Sequence, residues 1–209
     1  MTIRKFYMGG EDCNAYVLGE EGGPALLIDI AALSARYVFS YIKEHHSKLE
    51  AILLTHGHCD HIGGLALAPS EVPVFMGRED IPYLFDDRLN LAEELGEIIH
   101  VPESLSPYPL EDGDETVLPS FSFKTIATPF HTPGSLCFLF KDGEGEYLFT
   151  GDTLFQMGIG RTDFPGSQPR LIATSLEKLK DLNPNMRIYP GHQREGVLGK
   201  ALEYAKRFY

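Results

Sequence analysis

The sequence predicts one α/β domain spanning residues 1–209, and three observations carry that prediction. Short apolar runs alternate with segments of helical spacing. The order of strands, then a helix, then a strand occurs in both halves of the chain, as in a duplicated α/β layout. Residues of metal-binding type fall at the ends of apolar runs, where α/β folds concentrate their sites.

Taken in order, Cys13 to Gly19 (CNAYVLG) and Ala25 to Ile30 (ALLIDI) are apolar runs separated by Gly, Glu and Pro, which predicts a hairpin. Ser34 is placed to cap a helix running to about His46, with Tyr37, Val38, Tyr41 and Ile42 at helical spacing. Ala51 to Leu54 (AILL) reads as a buried strand ending directly at THGHCDHIGG, after which a helix is expected near Ile62. Arg78 to Glu97 reads as a helix broken at Pro82 and Gly96, and Val101 to Pro109, with three prolines, as a loop. Tyr83, Phe85 and Tyr108 of this stretch are candidates to wall a pocket. Val117 to Thr128, Leu136 to Phe140 and Tyr147 to Phe149 read as strands, Pro169 to Lys180 as a helix, Arg187 to Tyr189 as a strand and Val197 to Phe208 as a last helix.

Composition narrows the class. The apolar fraction is 43% and the charged fraction 23%, ordinary for a globular protein. A formal net charge of -12 argues against nucleic acid as a partner, because phosphate backbones need clustered Lys and Arg. It argues equally against an anionic membrane surface. Cys13, Cys59 and Cys137 are odd in number and form no CxxC pair, so a reducing cytoplasm is expected. The first residues lack the charged and apolar regions of a signal peptide, and no run has the length of a membrane helix. Homodimers are common among soluble enzymes, but nothing in the sequence marks an interface.

The chemistry concentrates in Thr55 to His61. Three histidines and an aspartate (His56, His58, Asp60 and His61) follow a buried strand, and imidazole and carboxylate are ligands of zinc, iron and manganese. Neighbours on a helix face lie three or four residues apart. The spacing here predicts a loop wrapped around metal, with Gly57, Gly63 and Gly64 giving the backbone its freedom. His131 in ATPFHTPGS, Asp152 in YLFTGDTLF and His192 in IYPGHQREG also sit beside Gly or Pro at strand ends. Asp29, at the end of LLID, has two readings: a turn residue, or a carboxylate that orients the metal-binding loop.

THGHCDHIGG, HTPGS, GDTLF and PGH, in this order, resemble the signature of the metallo-β-lactamase superfamily, with glyoxalase II-like hydrolases as the nearest branch. The resemblance implies a four-layer αββα sandwich with the site at one edge of its two sheets. It implies a first metal on His56, His58 and His131, a second on Asp60, His61 and His192, and Asp152 bridging the two. The cofactors would be two divalent ions, zinc with iron or manganese as alternatives. A water bridging two cations becomes hydroxide near neutral pH and would attack an ester or thioester carbonyl, so no Ser or Cys nucleophile is required. Asp60 is a second proton acceptor by type, although its ligand role argues against that use. Cys59 and Cys137 read as small buried apolar residues.

Full-length glyoxalase II enzymes resemble this chain but carry a C-terminal helical portion that holds glutathione, and PGH here continues as QREG. A shorter glyoxalase II-like subgroup, acting on a thioester or a glutathione-like thiol, is the better match and includes GIGRTDFPGS (Gly158 to Ser167). Persulfide dioxygenases share a GRTDF-like segment and would hold a single iron through His56, His131 and Asp152, a two-histidine, one-carboxylate triad. A metal-binding protein without catalysis is a third reading, opposed by a ligand set larger than a closed structural site needs. Arg161 is the candidate for a substrate carboxylate, with an ion pair to Asp163 as the alternative.

Overall fold

The computed structural model describes residues 1–9 and 13–209. Among these residues twelve strands form two six-stranded sheets, each following chain order. The first contains β1 (Ile3–Phe6), β2 (Ala15–Leu18), β3 (Pro24–Ile28), β4 (Lys48–Leu53), β5 (Val74–Gly77) and β6 (Tyr108–Leu110). The second contains β7 (Glu115–Val117), β8 (Ser122–Ala127), β9 (Leu136–Asp142), β10 (Gly145–Gly151), β11 (Arg187–Pro190) and β12 (Gly196–Val197). Helix α1 (Ala32–His45) connects β3 to β4, which are parallel, and α4 (Ile172–Lys180) connects β10 to β11, which are also parallel. The single turns α2 (Cys59–Ile62) and α3 (Ala92–Leu95) lie between, and α5 (Leu198–Ala205) closes the chain.

Side-chain alternation explains why the sheets stack. In β3, Ala25 and Leu27 face the cluster that contains Val38 and Ile42 of α1, while Leu26 and Ile28 face the second sheet. In β9, Cys137 and Leu139 face Leu176 of α4 and Ala201 of α5, while Phe138 and Phe140 point at the first sheet. Successive strand residues point to opposite faces, so a strand covered on both sides must be apolar throughout. That is why AILL and ALLI read as continuous runs. Three apolar layers between four layers of structure are the αββα sandwich.

Several local expectations need correction. Helix α1 starts at Ala32 with Ala31 at its N-cap, and Ser34 lies inside the first turn with Oγ donating to the Ala31 carbonyl. The expected strand from Val117 to Thr128 is a hairpin, because Leu118 N–H bonds the Phe121 carbonyl around Pro119. Tyr108 and Pro109, read as the end of a loop, belong to β6, which pairs in parallel with β5. Strand β1 has a mixed pattern, and β5 is apolar but only four residues long, so neither is read from the sequence. Gly57, Gly63 and Gly64 all lack positive φ. Close packing explains two of them: a Cβ would sit 2.4 Å from Tyr83 Cβ at Gly57 and 2.4 Å from Ile30 Cγ1 at Gly64.

Phe138 is fully buried in the layer between the sheets, edge-on to Phe123. Phe138→Ala should lower unfolding stability by about 3–5 kcal/mol, seen as a lower urea midpoint at unchanged slope.

Candidate metal centre

All seven candidate ligands meet at the edge of the sandwich where strand C-termini gather. His56 and His58 follow β4, Asp60 and His61 lie in α2, His131 follows β8, Asp152 follows β10 and His192 follows β11. Asp60 and His61 therefore stand on a helical turn, which starts at Cys59 rather than near Ile62. Adjacent residues on that turn diverge by about 100° (roughly 3.6 residues per turn), yet here both reach His192. His192 Nε2 is 3.0 Å from Asp60 Oδ2 and 3.4 Å from His61 Nε2.

Three groups of ligand atoms each lie within 4.8 Å of one another: His56, His58 and His131; Asp60, His61 and His192; and His56, His61 and Asp152. Asp152 stands between the first two sets. Its Oδ2 is 3.5 Å from His131 Nε2 and 3.6 Å from His192 Nε2, and its Oδ1 is 3.5 Å from His61 Nε2.

Hydrogen bonds fix which nitrogens face inward. His131 Nδ1 donates to the Arg161 carbonyl at 2.7 Å, so Nε2 presents a lone pair to the Asp152 carboxylate. His131 Nε2, His58 Nε2 and Asp152 Oδ1 are buried without a hydrogen-bond partner. Lone pairs facing a carboxylate in a buried site call for a cation between them, and this donor set fits a divalent metal. Burial pushes the His56 imidazole well below its ordinary range and His58 down to about 3, the neutral form a ligand needs. Burial also lowers His131. For Asp152, burial pulls upward, and His192, His61 and His131 together outweigh it and hold the carboxyl well below the usual range. For His61, burial pulls downward, and Asp60, Asp29 and Asp152 outweigh it, so the ring attracts positive charge.

Asp29 does the orienting work. It sits at φ 55, a left-handed conformation that Asp adopts more readily than most residues. Its buried carboxylate accepts from Thr55 N at 2.8 Å, Thr55 Oγ1 at 2.8 Å and His61 Nδ1 at 2.9 Å. It is thus both the turn residue and the holder of the loop. Arg161 lines the cleft, with its Nε and Nη2 2.9 and 2.8 Å from the Asp163 carboxylate and its guanidinium 4.1 Å from the Phe164 ring. The ion-pair alternative is therefore present. Of the three aromatics proposed as wall, Tyr83 packs behind His58, Tyr108 stacks on Phe75, and Phe85 is exposed. Leu91, Glu94 and Leu95 of the same segment line the cleft, with Phe155 and Phe164. Cys59 and Cys137 are buried, with thiols pushed up to about 12 and about 11 by burial, which argues against nucleophilic use.

Two supports escaped sequence reading. Asn14 donates from N to the Gly191 carbonyl at 2.6 Å and from Nδ2 to Pro190 and Gln193 carbonyls at 2.9 Å, so a strand of the first sheet holds the His192 turn of the second. Asp80 is fully buried and accepts from Gly57 N at 2.9 Å, Thr132 Oγ1 at 2.6 Å and Gly134 N at 2.6 Å. It ties the His56–His58 loop to the His131 loop. Both lie far in sequence from the motifs they serve, and an isolated Asp in a polar stretch carries no periodic signal.

Asp80→Ala should leave the Gly57 and Gly134 N–H groups buried without an acceptor, at about 1–3 kcal/mol each, while Thr132 Oγ1 keeps Ser135 Oγ at 2.7 Å. Metal affinity, measured by competition with a chelator, should fall roughly 10–100-fold. Asp80→Asn restores one acceptor while turning an NH2 toward another donor, so it should recover little. Unchanged metal affinity in both variants would remove Asp80 from this role.

Comparison with known proteins agrees with this geometry. Residues 8–192 match the Metallo-beta-lactamase superfamily. The probable metallo-hydrolase YqgX of Bacillus subtilis is 34% identical over 93% of this chain and 92% of the relative. The hydroxyacylglutathione hydrolase GloC of Haemophilus influenzae is 32% identical over 90% of this chain and 88% of its own length. Among solved structures, BLEG-1 B3 metallo-beta-lactamase superposes with a TM-score of 0.88 at 29% identity, covering 99% of both chains. TTHA1623, in a di-iron-bound form, gives 0.78 at 32% identity, covering 97% of this chain and 98% of that one. On its sequence, its sandwich and its cluster of histidines and aspartates, the chain belongs to the metallo-beta-lactamase superfamily.

Proposed function

We propose that this chain is a metal-dependent hydrolase that cleaves a thioester of the S-2-hydroxyacylglutathione kind, or a related ester, with two divalent ions held by this cluster. The observation that carries the reading is two separate three-ligand sets with Asp152 between them. His56, His58 and His131 would hold one ion and Asp60, His61 and His192 the other. The relatives that are metallohydrolases, one acting on hydroxyacylglutathione by its name, support it. Zinc, iron and manganese all suit imidazole and carboxylate donors, and a solved relative holds two irons.

Bound metal supplies Lewis acidity toward the carbonyl oxygen and a lowered pKa for water. The chain's own residues do the rest. Asp29 and the Arg161 carbonyl fix the ring faces of His61 and His131, so the lone pairs point inward before substrate arrives. Asp152 and Asp60 place negative charge opposite those rings. Leu91, Leu95, Phe155 and Phe164 give the cleft apolar walls that thin the water around the reacting carbonyl. Phe164 meets His58 edge-on at 5.6 Å and carries the Arg161 guanidinium on its face, so that end of the cleft suits an anionic thiol carrier. Arg161 can leave Asp163 for a substrate carboxylate at small cost, because both side chains are more than 60% exposed.

The second reading, a mononuclear iron persulfide dioxygenase, would use His56, His131 and Asp152. It leaves Asp60, His61 and His192 unemployed, although their atoms converge as closely as the first set.

Elemental analysis of protein purified without added metal should find close to two ions per chain. A chelator should abolish thioester turnover while the far-ultraviolet circular dichroism persists. One iron per chain with oxygen uptake on a glutathione persulfide would replace the hydrolase reading by the dioxygenase. Asp152→Ala should lose metal and turnover together, and normal values for both would disprove its place between the ions. His58→Ala should cripple a two-metal hydrolase, with kcat/KM down at least roughly 100-fold, while a one-iron dioxygenase would be far less affected.

A further inference from the structure

A second cavity opens off the cleft beside Asp60. It has a volume of about 240 Å³ and is lined by Ala32 and Leu33 of α1, Cys59 and Asp60 of α2, and Leu95, Glu97 and Ile99. Asp60 and Leu95 line both this cavity and the metal cleft, so the two spaces adjoin with these side chains between them. Its walls are apolar apart from two carboxylates, and it contains no cation. Its rim is unusually greasy for a charged protein: Leu33 is 66% exposed and Leu95 49%. Whole ligands usually occupy roughly 300–1,000 Å³, so this space suits one substituent of a ligand whose reactive part lies elsewhere. At about 30 Å³ for each water-sized atom, it holds about eight heavy atoms.

The wall that separates the two spaces is built deliberately. Helix α3 is a single turn flanked by two left-handed residues, Leu91 at φ 72 and Gly96 at φ 68. Glycine takes that conformation freely, but leucine pays for it, and such strain collects at ligand-binding segments. Asn90 secures the turn: its carbonyl accepts from Cys59 N at 2.8 Å, its Oδ1 accepts from Ala92 N at 2.9 Å, and its Nδ2 donates to the Tyr83 carbonyl at 2.9 Å. Leu95 is thereby held at a fixed place relative to Asp60.

We infer that this cavity is an acyl subsite that receives an unbranched aliphatic acyl chain of medium length, so the enzyme prefers such chains to short acyl groups. The identification of the group as acyl rests on the thioester reading above; the cavity's preference for an uncharged aliphatic chain does not. Charge sorts the two ends of the substrate. Glu97, which lines this cavity and not the main cleft, disfavours an anionic carrier at this end, while Arg161 and Phe164 stand in the main cleft, outside this cavity's lining. The acyl chain passes Leu95 into the apolar space, and the thiol carrier extends the other way.

Two measurements test this. The first compares kcat/KM for acetyl, butanoyl, hexanoyl and lactoyl thioesters of glutathione in the wild type and in Leu33→Asp. Leu33 is largely exposed in the first turn of α1, where a carboxylate is tolerated by the helix dipole. The wild type should favour hexanoyl over acetyl by at least about 10-fold, and Leu33→Asp should erase most of that preference while acetyl turnover changes less than about twofold. The second titrates the metal-loaded wild type with hexanamide or acetamide, following methyl resonances by NMR. Hexanamide should shift Leu33, Leu95 and Ile99 methyls, and acetamide should not. Hexanamide binding at these methyls without any thioester turnover keeps the subsite and overturns the thioester reading. Thioester turnover with no chain-length preference and no methyl shifts overturns the subsite and keeps the hydrolase. Absence of turnover and of methyl shifts overturns both.

Discussion

The buried carboxylate of Asp29 is the interaction on which the rest of the site depends. It stands at the end of β3 in a left-handed turn and gathers three donors from the loop after β4. Without it, the buried Thr55 N–H would be unpaired and His61 Nδ1 would lose its acceptor. With it, the His61 Nδ1–H is committed and Nε2 must face Asp60 and Asp152. Thr55 passes the constraint on: its carbonyl accepts from Leu136 N at 2.8 Å, joining the two sheets at the start of β9. A one-residue choice of backbone conformation thus couples the first motif to the second sheet.

The two halves of the centre come from different sheets, so the sandwich is the positioning device. Parallel pairing of β3 with β4 and of β10 with β11 brings Asp29, His56, Asp152 and His192 to one edge. Close approach there is possible only because small residues stand where backbones touch. A Cβ at Gly191 would lie 2.3 Å from Asp152 Oδ1 and 2.6 Å from His61 Cε1, and Gly151 sits at φ +46 against Thr55. The GD and PGH motifs therefore specify a contact distance as well as ligands. Asn14 and Asp80 then act as struts between loops that share no covalent neighbourhood.

This division explains what the sequence could reveal. The largely buried strands β3, β4 and β9 contain continuous apolar runs, so they are legible, as are the candidate ligands clustered after the strand ends. Edge strands were not: β1 has a mixed pattern and β6 contains a proline, which an edge position tolerates. The 117–122 hairpin was hidden because Val117 and Leu118 look like strand interior, while Pro119 and Ser120 make the turn. Asp60 and His61 stand out in the sequence by residue type but not as helix, because a single turn presents adjacent residues to a cluster that surrounds it. Asp80 was invisible for a different reason. Its partners are two backbone N–H groups and Thr132, and no spacing rule connects residue 80 with residues 57, 132 and 134.

Charge completes the physical picture. A chain with net charge -12 faces a cost in binding any anionic thiol compound. The site itself contributes three carboxylates, Asp29, Asp60 and Asp152, to a buried cluster in which burial favours the neutral form of the His56, His58 and His131 imidazoles. Such a cluster is an anion until cations fill it, and the two divalent ions proposed for it would reverse its sign. Ions that activate water there would also convert a repulsive cleft into an attractive one, leaving Glu97 to keep the apolar side cavity unwelcoming to charge. The sorting of a substrate into an anionic end and an aliphatic end follows from where positive charge is available and where it is not.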